Sequence, residues 1–163
     1  MDQDEHHQLR IAFEAHYQGL VGLCVLLTGR PAEAEDLAQE AFVRAATHVR
    51  NIEPDRLAAY LRSSAINAWR NRLRSEGTWR RYLPRVAPSS GQVDPSGGVD
   101  DRDMIWRALS TLPARQRACL VLRYYEGLSE AEIADVLGCT PGTVKSQTHK
   151  ALKNLRKEVQ PDG

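Results

Sequence analysis

The chain has 163 residues, with 22 Lys plus Arg against 21 Asp plus Glu, and a formal net charge of +1. That length fits one ordinary domain or two small ones. The acidic, polar start MDQDEHHQ is unlike a secretory signal, and the longest apolar run, Leu20 to Leu27, falls far short of the ~20 residues of a membrane span.

The neutral total conceals segregation. Four acids and no base lie between Pro31 and Glu40, while seven arginines between Arg62 and Arg85 face only Glu76. Four acids and no base lie between Glu126 and Asp135, followed by five bases and no acid from Thr140 to Lys157. Alternating surfaces of this kind suit a protein with more than one charged partner.

Taken in chain order, the apolar spacing is helical almost throughout. Leu9, Phe13, Tyr17, Leu20, Val21, Cys24 and Leu27 make a first stripe, broken by Thr28-Gly29. His6 and His7 precede it in a polar terminus that is expected to be disordered. Pro31 stands where a first helical turn tolerates it, and Leu37, Ala38, Ala41, Phe42 and Ala45 form the next stripe. Asn51 to Asp55 reads as a loop. Leu57, Tyr60, Leu61, Ser64, Ala65, Ala68 and Trp69 continue as a third helix, expected to end near Arg74-Ser75, before Gly77. Trp69 extends the apolar stripe, so a core role is expected for it.

Residues 86–103, VAPSSGQVDPSGGVDDRD, carry Pro, Ser, Gly and Asp without apolar periodicity and read as a flexible linker. No stretch alternates with period two over strand length. The expected fold is therefore all-α, with two small helical domains, residues 1–85 and 104–160, joined by that linker.

The most specific pattern follows Leu128. Ser129 and Glu132 have capping-box spacing, Ile133, Ala134 and Leu137 give one buried stripe, and Gly138 can take the left-handed conformation that ends a helix. Thr140 offers an N-cap hydroxyl and Pro141 a first helical position. A second helix carries Val144, Thr148, Ala151, Leu152 and Leu155 on one side. Helix, short turn, helix is the helix-turn-helix arrangement. At about 100° per residue, Ser146, His149, Lys150 and Lys153 point away from the apolar stripe, with Lys145 and Gln147 on the flanks. Polar donors in the middle of such a helix can read base edges in a major groove while marginal cations meet phosphates. The first-turn N–H groups near Pro141, Gly142 and Thr143 can hold a phosphate oxygen. Thr140, Pro141, Gly142, Thr143, Lys145, Ser146, Gln147, His149, Lys150 and Lys153 are the candidate contacts of this helix with duplex DNA.

These residues carry a family resemblance. Leu112-Pro113, Gln116-Arg117, Leu122-Arg123, Gly127-Leu128-Ser129, Glu132-Ile133-Ala134 and Gly142-Thr143-Val144-Lys145-Ser146 resemble region 4 of bacterial RNA polymerase sigma factors of the extracytoplasmic-function (ECF) group. Other helix-turn-helix regulators share part of this pattern. The N-terminal half adds AEAEDLAQEAFVRAATH, residues 32–48, which is similar to sigma region 2.2, and RLAAYLRSSAINAWRNRLRS, residues 56–75, which resembles regions 2.3 and 2.4. The resemblance implies that Asp36, Gln39, Glu40 and Arg44 contact core RNA polymerase. It implies that Tyr60, Ser63, Ser64, Asn67, Arg70, Asn71 and Arg74 contact the minus-ten element, and that the C-terminal helix-turn-helix contacts the minus-thirty-five element. The loop Asn51 to Asp55 stands where the family captures a flipped base. Arg62-Ser63-Ser64 replaces the adjacent tryptophans of primary sigma factors, and Gln147 replaces an arginine common among relatives.

The function so implied is that of a dissociable promoter-specificity subunit in the cytoplasm, with core RNA polymerase and promoter DNA as partners and an anti-sigma factor as a further one. The alternative is a helix-turn-helix regulator that binds duplex DNA without polymerase. No enzyme is expected, because phosphate-binding loops, zinc-protease motifs and C-x-x-C pairs are all missing from the sequence. No cofactor or metal is expected either. The three cysteines, Cys24, Cys119 and Cys139, are few and far apart, which fits a reducing compartment.

Overall fold

A computed structural model describes residues 2–80 and 101–159, with side chains outside 76–80, 101–103 and 159. Among these residues every regular element is helical. The chain divides into two compact units, residues 1–89 and 90–163. The expected linker, 86–103, lies outside the described residues except for its last three positions. Those three are helical, because α4 spans Asp101–Ser110. A helix start is polar by nature, so the string Asp-Asp-Arg-Asp gave no apolar period by which to find it.

In the first unit α1 runs Gln3–Thr28, α2 Pro31–His48 and α3 Leu57–Arg80, with 3-10 turns at Val49–Asn51 and Pro54–Arg56 filling the expected loop. The core comes from Leu20, Leu23, Cys24 and Leu27 of α1, Leu37, Ala38, Ala41 and Ala45 of α2, and Leu61, Ala65, Ile66 and Trp69 of α3. Trp69 is thus core, as its spacing predicts. The alanines on α2 let three helices approach closely. The break between α1 and α2 is sharp. Gly29 sits at φ 70° and donates its N–H to Val25 O at 2.7 Å. The Thr28 hydroxyl donates to Cys24 O at 2.9 Å, and Pro31 then opens α2.

Three expectations for this unit change. His6 and His7 are helical, because Asp2 and Glu5 form a full capping box that starts α1 ahead of its apolar stripe. The guanidinium of Arg50 pairs with Glu5 and pins that start to the 3-10 turn that follows α2. The same contact holds the Glu5 carboxyl below the usual carboxylate range, ahead of the opposing effect of burial. Second, α3 continues through Gly77 to Arg80. An interior glycine costs a helix only about 1 kcal/mol relative to alanine and need not end it. Third, Phe13 is 47% exposed, on the surface rather than in the core. It stacks on Tyr17 at 4.4 Å between ring centroids and meets Phe42 edge-on at 5.3 Å.

α1 is also long and apolar enough, by length and composition alone, to cross a membrane, with a mean hydropathy of 1.3 over its most apolar 18 residues. A count of uninterrupted apolar residues passes over this. A core helix gives the same signature, and here Leu20, Leu23 and Leu27 are spent on contacts with α2 and α3.

The second unit holds α4, α5 (Ala114–Tyr124), α6 (Glu130–Leu137) and α7 (Pro141–Val159). Its core is Leu109, Leu112, Ala118 to Leu122, Leu128, Ile133, Ala134, Leu137, Val144 and Ala151. Arg117 donates from Nε to Leu109 O at 3.0 Å and from Nη2 to Leu112 O at 3.1 Å. It thereby ties α5 to the turn after α4, where Leu109 O also accepts the Leu112 N–H at 3.1 Å. Burial lowers the pKa of Arg117. Arg123 donates to Leu128 O at 2.8 Å, which closes the turn between α5 and α6, where Gly127 adopts φ 68°. Asn154 donates to Gln116 at 2.9 Å and ties α7 to α5.

Candidate nucleic-acid and polymerase interface

The helix-turn-helix is built from its caps. The Ser129 hydroxyl accepts the Glu132 N–H at 3.1 Å, and the Glu132 carboxylate accepts the Ser129 N–H at 3.1 Å. α6 ends at Gly138, φ 67°, where Gly138 and Cys139 both donate to Ala134 O. Thr140 then caps α7, its hydroxyl oxygen accepting the Thr143 N–H at 3.1 Å and lying 2.9 Å from the Thr143 hydroxyl. These contacts fix the angle at which α7 leaves the turn.

Once α7 is fixed, its faces follow. Val144 and Ala151 are fully buried. Thr140, Pro141, Gly142, Lys145, Ser146, His149, Lys150 and Lys153 are exposed, and Thr143 and Gln147 are half-buried at the margins. All ten sequence-predicted residues of this helix therefore lie on its accessible side or edge. Lys145, Lys150 and Lys153 have no carboxylate partner among the described residues, which leave this positive charge uncompensated. A Cβ built on Gly142 would meet nothing nearer than Thr140 Oγ1, at 3.9 Å. The glycine is not required by packing within the protein.

On α3 the expected minus-ten residues divide. Asn67, Asn71 and Arg74 are exposed, and Tyr60, Ser63 and Arg70 are half-buried. At about 100° per residue these six share the face opposite Leu61, Ala65 and Trp69. Ser64 is the correction. It is 7% exposed and belongs to the core, one turn from Leu61 and Ala68, so it does not face outward. A small hydroxyl on a helix flank looks the same in sequence whether it points in or out. The Tyr60 hydroxyl lies 3.3 Å from His48 Nδ1, and the Thr47 hydroxyl 2.9 Å from the same atom. The end of α2 thus braces the start of the α3 face. Sequence periodicity does not reveal this contact, since the residues are twelve apart on different elements.

On α2, Asp36, Gln39 and Arg44 are exposed and Glu40 is half-buried. Val43, 65% exposed, sits on the same crest and was not singled out by sequence. The face is less acidic than it reads. Glu40 pairs with Arg44 at 3.4 Å and with Arg72 of α3 at 3.6 Å, and Arg72 also lies 4.0 Å from Glu33. Asp36 has no cationic partner among the described residues. Beside these residues, Glu40, Ala68, Asn71, Arg72 and Ser75 line an open cleft of about 330 Å³ between α2 and α3.

Cys24 and Cys119 are buried and Cys139 is half-buried. Burial, with the neighbouring Cys139 as a smaller influence, pushes the Cys119 thiol up to about 11. Among the described residues no group of three or more His, Cys, Asp or Glu side chains is arranged to hold a metal ion.

Two family models match separate parts of the chain. The sigma-70 region 2 family model matches residues 12–86 and the sigma-70 region 4 model matches residues 102–155. The RNA polymerase sigma-E factor of Streptomyces coelicolor is 39% identical over 134 residues, covering 79% of this chain and 73% of that protein. The ECF RNA polymerase sigma factor SigL of Mycobacterium tuberculosis is 33% identical over 162 residues, covering 95% and 90%. Among solved structures, the sigma factor RpoE of Bartonella quintana, in complex with the anti-sigma factor NepR, superposes with a TM-score of 0.74 at 25% identity, over 94% of this chain and 98% of that one. With both regions matched and relatives above 30% identity aligned over most of their length, the chain belongs to the sigma-70 family, among the ECF RNA polymerase sigma factors.

Proposed function

We propose that this promoter-specificity subunit docks on core RNA polymerase through the α2 crest, with Asp36, Gln39, Glu40 and Arg44 as contacts. The outer face of α3 then reads the non-template strand of the minus-ten element, through Tyr60, Ser63, Asn67, Arg70, Asn71 and Arg74. Amides on adjacent turns can bond the edges of unstacked bases, and arginines can follow the backbone. α7 enters the major groove of the minus-thirty-five element. In this reading residues 1–85 serve the first two tasks and residues 104–160 the third.

The observation that carries the proposal is the composition of α7. Lys145, Lys150 and Lys153 are exposed without acidic partners among the described residues, on a helix whose start is fixed by a capped turn. Such a helix supplies phosphate contacts at its margins and polar readers, Ser146 and His149, between them. The protein acts by directing a catalyst and not as one. Its place of work is the cytoplasm, with the polymerase. An anti-sigma factor is a further proposed partner, by analogy with the relative solved in such a complex.

A regulator that binds duplex DNA alone has no use for the α2 and α3 faces, and the region 2 match over residues 12–86 favours the polymerase-dependent reading. Run-off transcription with purified core enzyme and a library of genomic promoters tests it. The expected result is specific initiation that depends on added protein. Tight specific binding of duplex DNA by the free chain, with no transcript from any promoter, would overturn it.

A further inference from the structure

The two helices assigned to different partners are joined by one side chain. Arg72 starts on α3, on the flank that faces α2 rather than on the outer DNA face. Its two terminal nitrogens part: Nη1 lies 4.0 Å from Glu33 Oε1 and Nη2 lies 3.6 Å from Glu40 Oε2. Glu33 and Glu40 are two turns apart on one side of α2, so a single guanidinium spans a heptad of the docking helix. Glu40 is held from the other side as well, since its Oε1 lies 3.4 Å from Arg44. Each carboxylate oxygen of Glu40 is thereby directed at one arginine, and each keeps a lone pair for an incoming donor. Arg72 is 35% exposed, partly withdrawn from solvent, and it forms one wall of the cleft with Glu40, Asn71 and Ser75.

We propose that Arg72 is a positioning residue for polymerase docking: it aims the Glu40 carboxylate at the partner and removes the rotamer freedom that docking would otherwise have to freeze. The inference rests on the α2 docking reading given above. A long glutamate side chain that is free in solution loses conformational freedom when an interface immobilises it. A glutamate already fixed between two arginines has lost that freedom beforehand. The arrangement also neutralises this flank, so the docking face offers directed acceptors rather than a diffuse negative field. Arg72 itself need not touch the polymerase for this.

The test is a double-mutant cycle in the affinity of the full chain for core RNA polymerase, with Arg72→Gln, Glu40→Gln and both together, and thermal unfolding of each variant recorded alongside. The expected result is a loss of about three- to tenfold for Arg72→Gln alone, the size of one immobilised side chain's conformational freedom, and no further loss when Glu40 is already Gln. Arg72→Lys should fall between wild type and Arg72→Gln, because an ammonium cannot span both carboxylates. Should Arg72→Gln fail to fold, the cycle is run with Arg72→Lys in its place. Equal losses from the Arg72 substitution in the wild-type and Glu40→Gln backgrounds would overturn the inference, as would an unchanged affinity for a folded Arg72→Gln protein. Failure of the wild-type chain to program core polymerase at all would instead remove the docking reading, so the two failures are distinguishable.

Discussion

Replacing Gly142 with alanine separates the protein's own needs from those of a bound DNA. Gly142 is the second residue of α7, and its N–H has no acceptor within the helix. Pro141 before it has no N–H, and the N–H of Thr143 after it is taken by the Thr140 hydroxyl. A methyl at position 142 would meet only Thr140 Oγ1, at 3.9 Å, an ordinary van der Waals contact. Folding should therefore be unaffected or slightly favoured, by up to about 1 kcal/mol, since alanine loses less chain entropy in a helix. Against DNA the expectation is opposite. A phosphate approaching the start of α7 closely enough to accept the Gly142 N–H meets the new methyl, and a hydrogen bond to a charged acceptor is worth about 1.5–3 kcal/mol. That corresponds to a promoter affinity about tenfold to 150-fold weaker. Holoenzyme reconstituted with wild type or Gly142→Ala, titrated onto a fluorescent promoter duplex carrying the minus-thirty-five element, gives the affinity, and thermal unfolding of the free proteins gives the stability. Unchanged promoter affinity with unchanged stability would refute the placement of DNA at this helix start. A large drop in stability would refute the account of the space around Gly142.

Three further expectations concern other parts of the molecule. Lys150→Ala should weaken promoter binding by about 1–3 kcal/mol and relax preference at one base pair if the ammonium reads a base. If it meets a phosphate, the loss should be uniform across sequences and the slope of log affinity against log salt should fall by about 0.9. Asp36→Lys reverses an exposed carboxylate of the α2 crest and should lower core polymerase affinity, read by competition with a labelled wild-type chain, while the unfolding of the 90–163 unit stays unchanged. For the thiols, alkylation at pH 8 followed by mass spectrometry should modify half-buried Cys139 and spare Cys119. The Cys119 pKa is raised to about 11, so its thiolate is scarce there, and the stability its burial lends is lost only as pH rises toward that value.

The elements that sequence predicted well are those whose ends carry their own chemistry. Gly29 with Pro31, Ser129 with Glu132, and Gly138 with Thr140 each settle a boundary within a few residues, and the described turns use those groups. Periodicity placed Trp69, Val144 and Ala151 inside because buried helix faces repeat along the chain. The start of α1 escaped because its capping box uses Asp2 in place of the more familiar serine or threonine, although the D-x-x-E spacing was there to read. The continuation of α3 past Ser75 escaped because a single interior glycine is only a weak breaker and does not by itself end a helix. Ser64 and Arg72 escaped for a deeper reason. Whether a serine on a helix flank is covered, and which acid an arginine chooses, depends on a neighbouring helix, and no single-helix period contains that information. The candidate DNA face of α7 was legible because it is contained in one helix. The α2 surface was only half legible because Arg72 and Phe13, which shape its two flanks, arrive from other helices.

The exposed rings beside α2 have a colloidal consequence. Phe13 at 47% and Val43 at 65% exposure stand in water on a chain whose net charge is only +1, so little long-range repulsion keeps two copies apart near neutral pH. The free subunit is therefore expected to self-associate as its concentration rises, and a polar substitution at Phe13 or Val43 should raise the concentration at which light scattering first registers it.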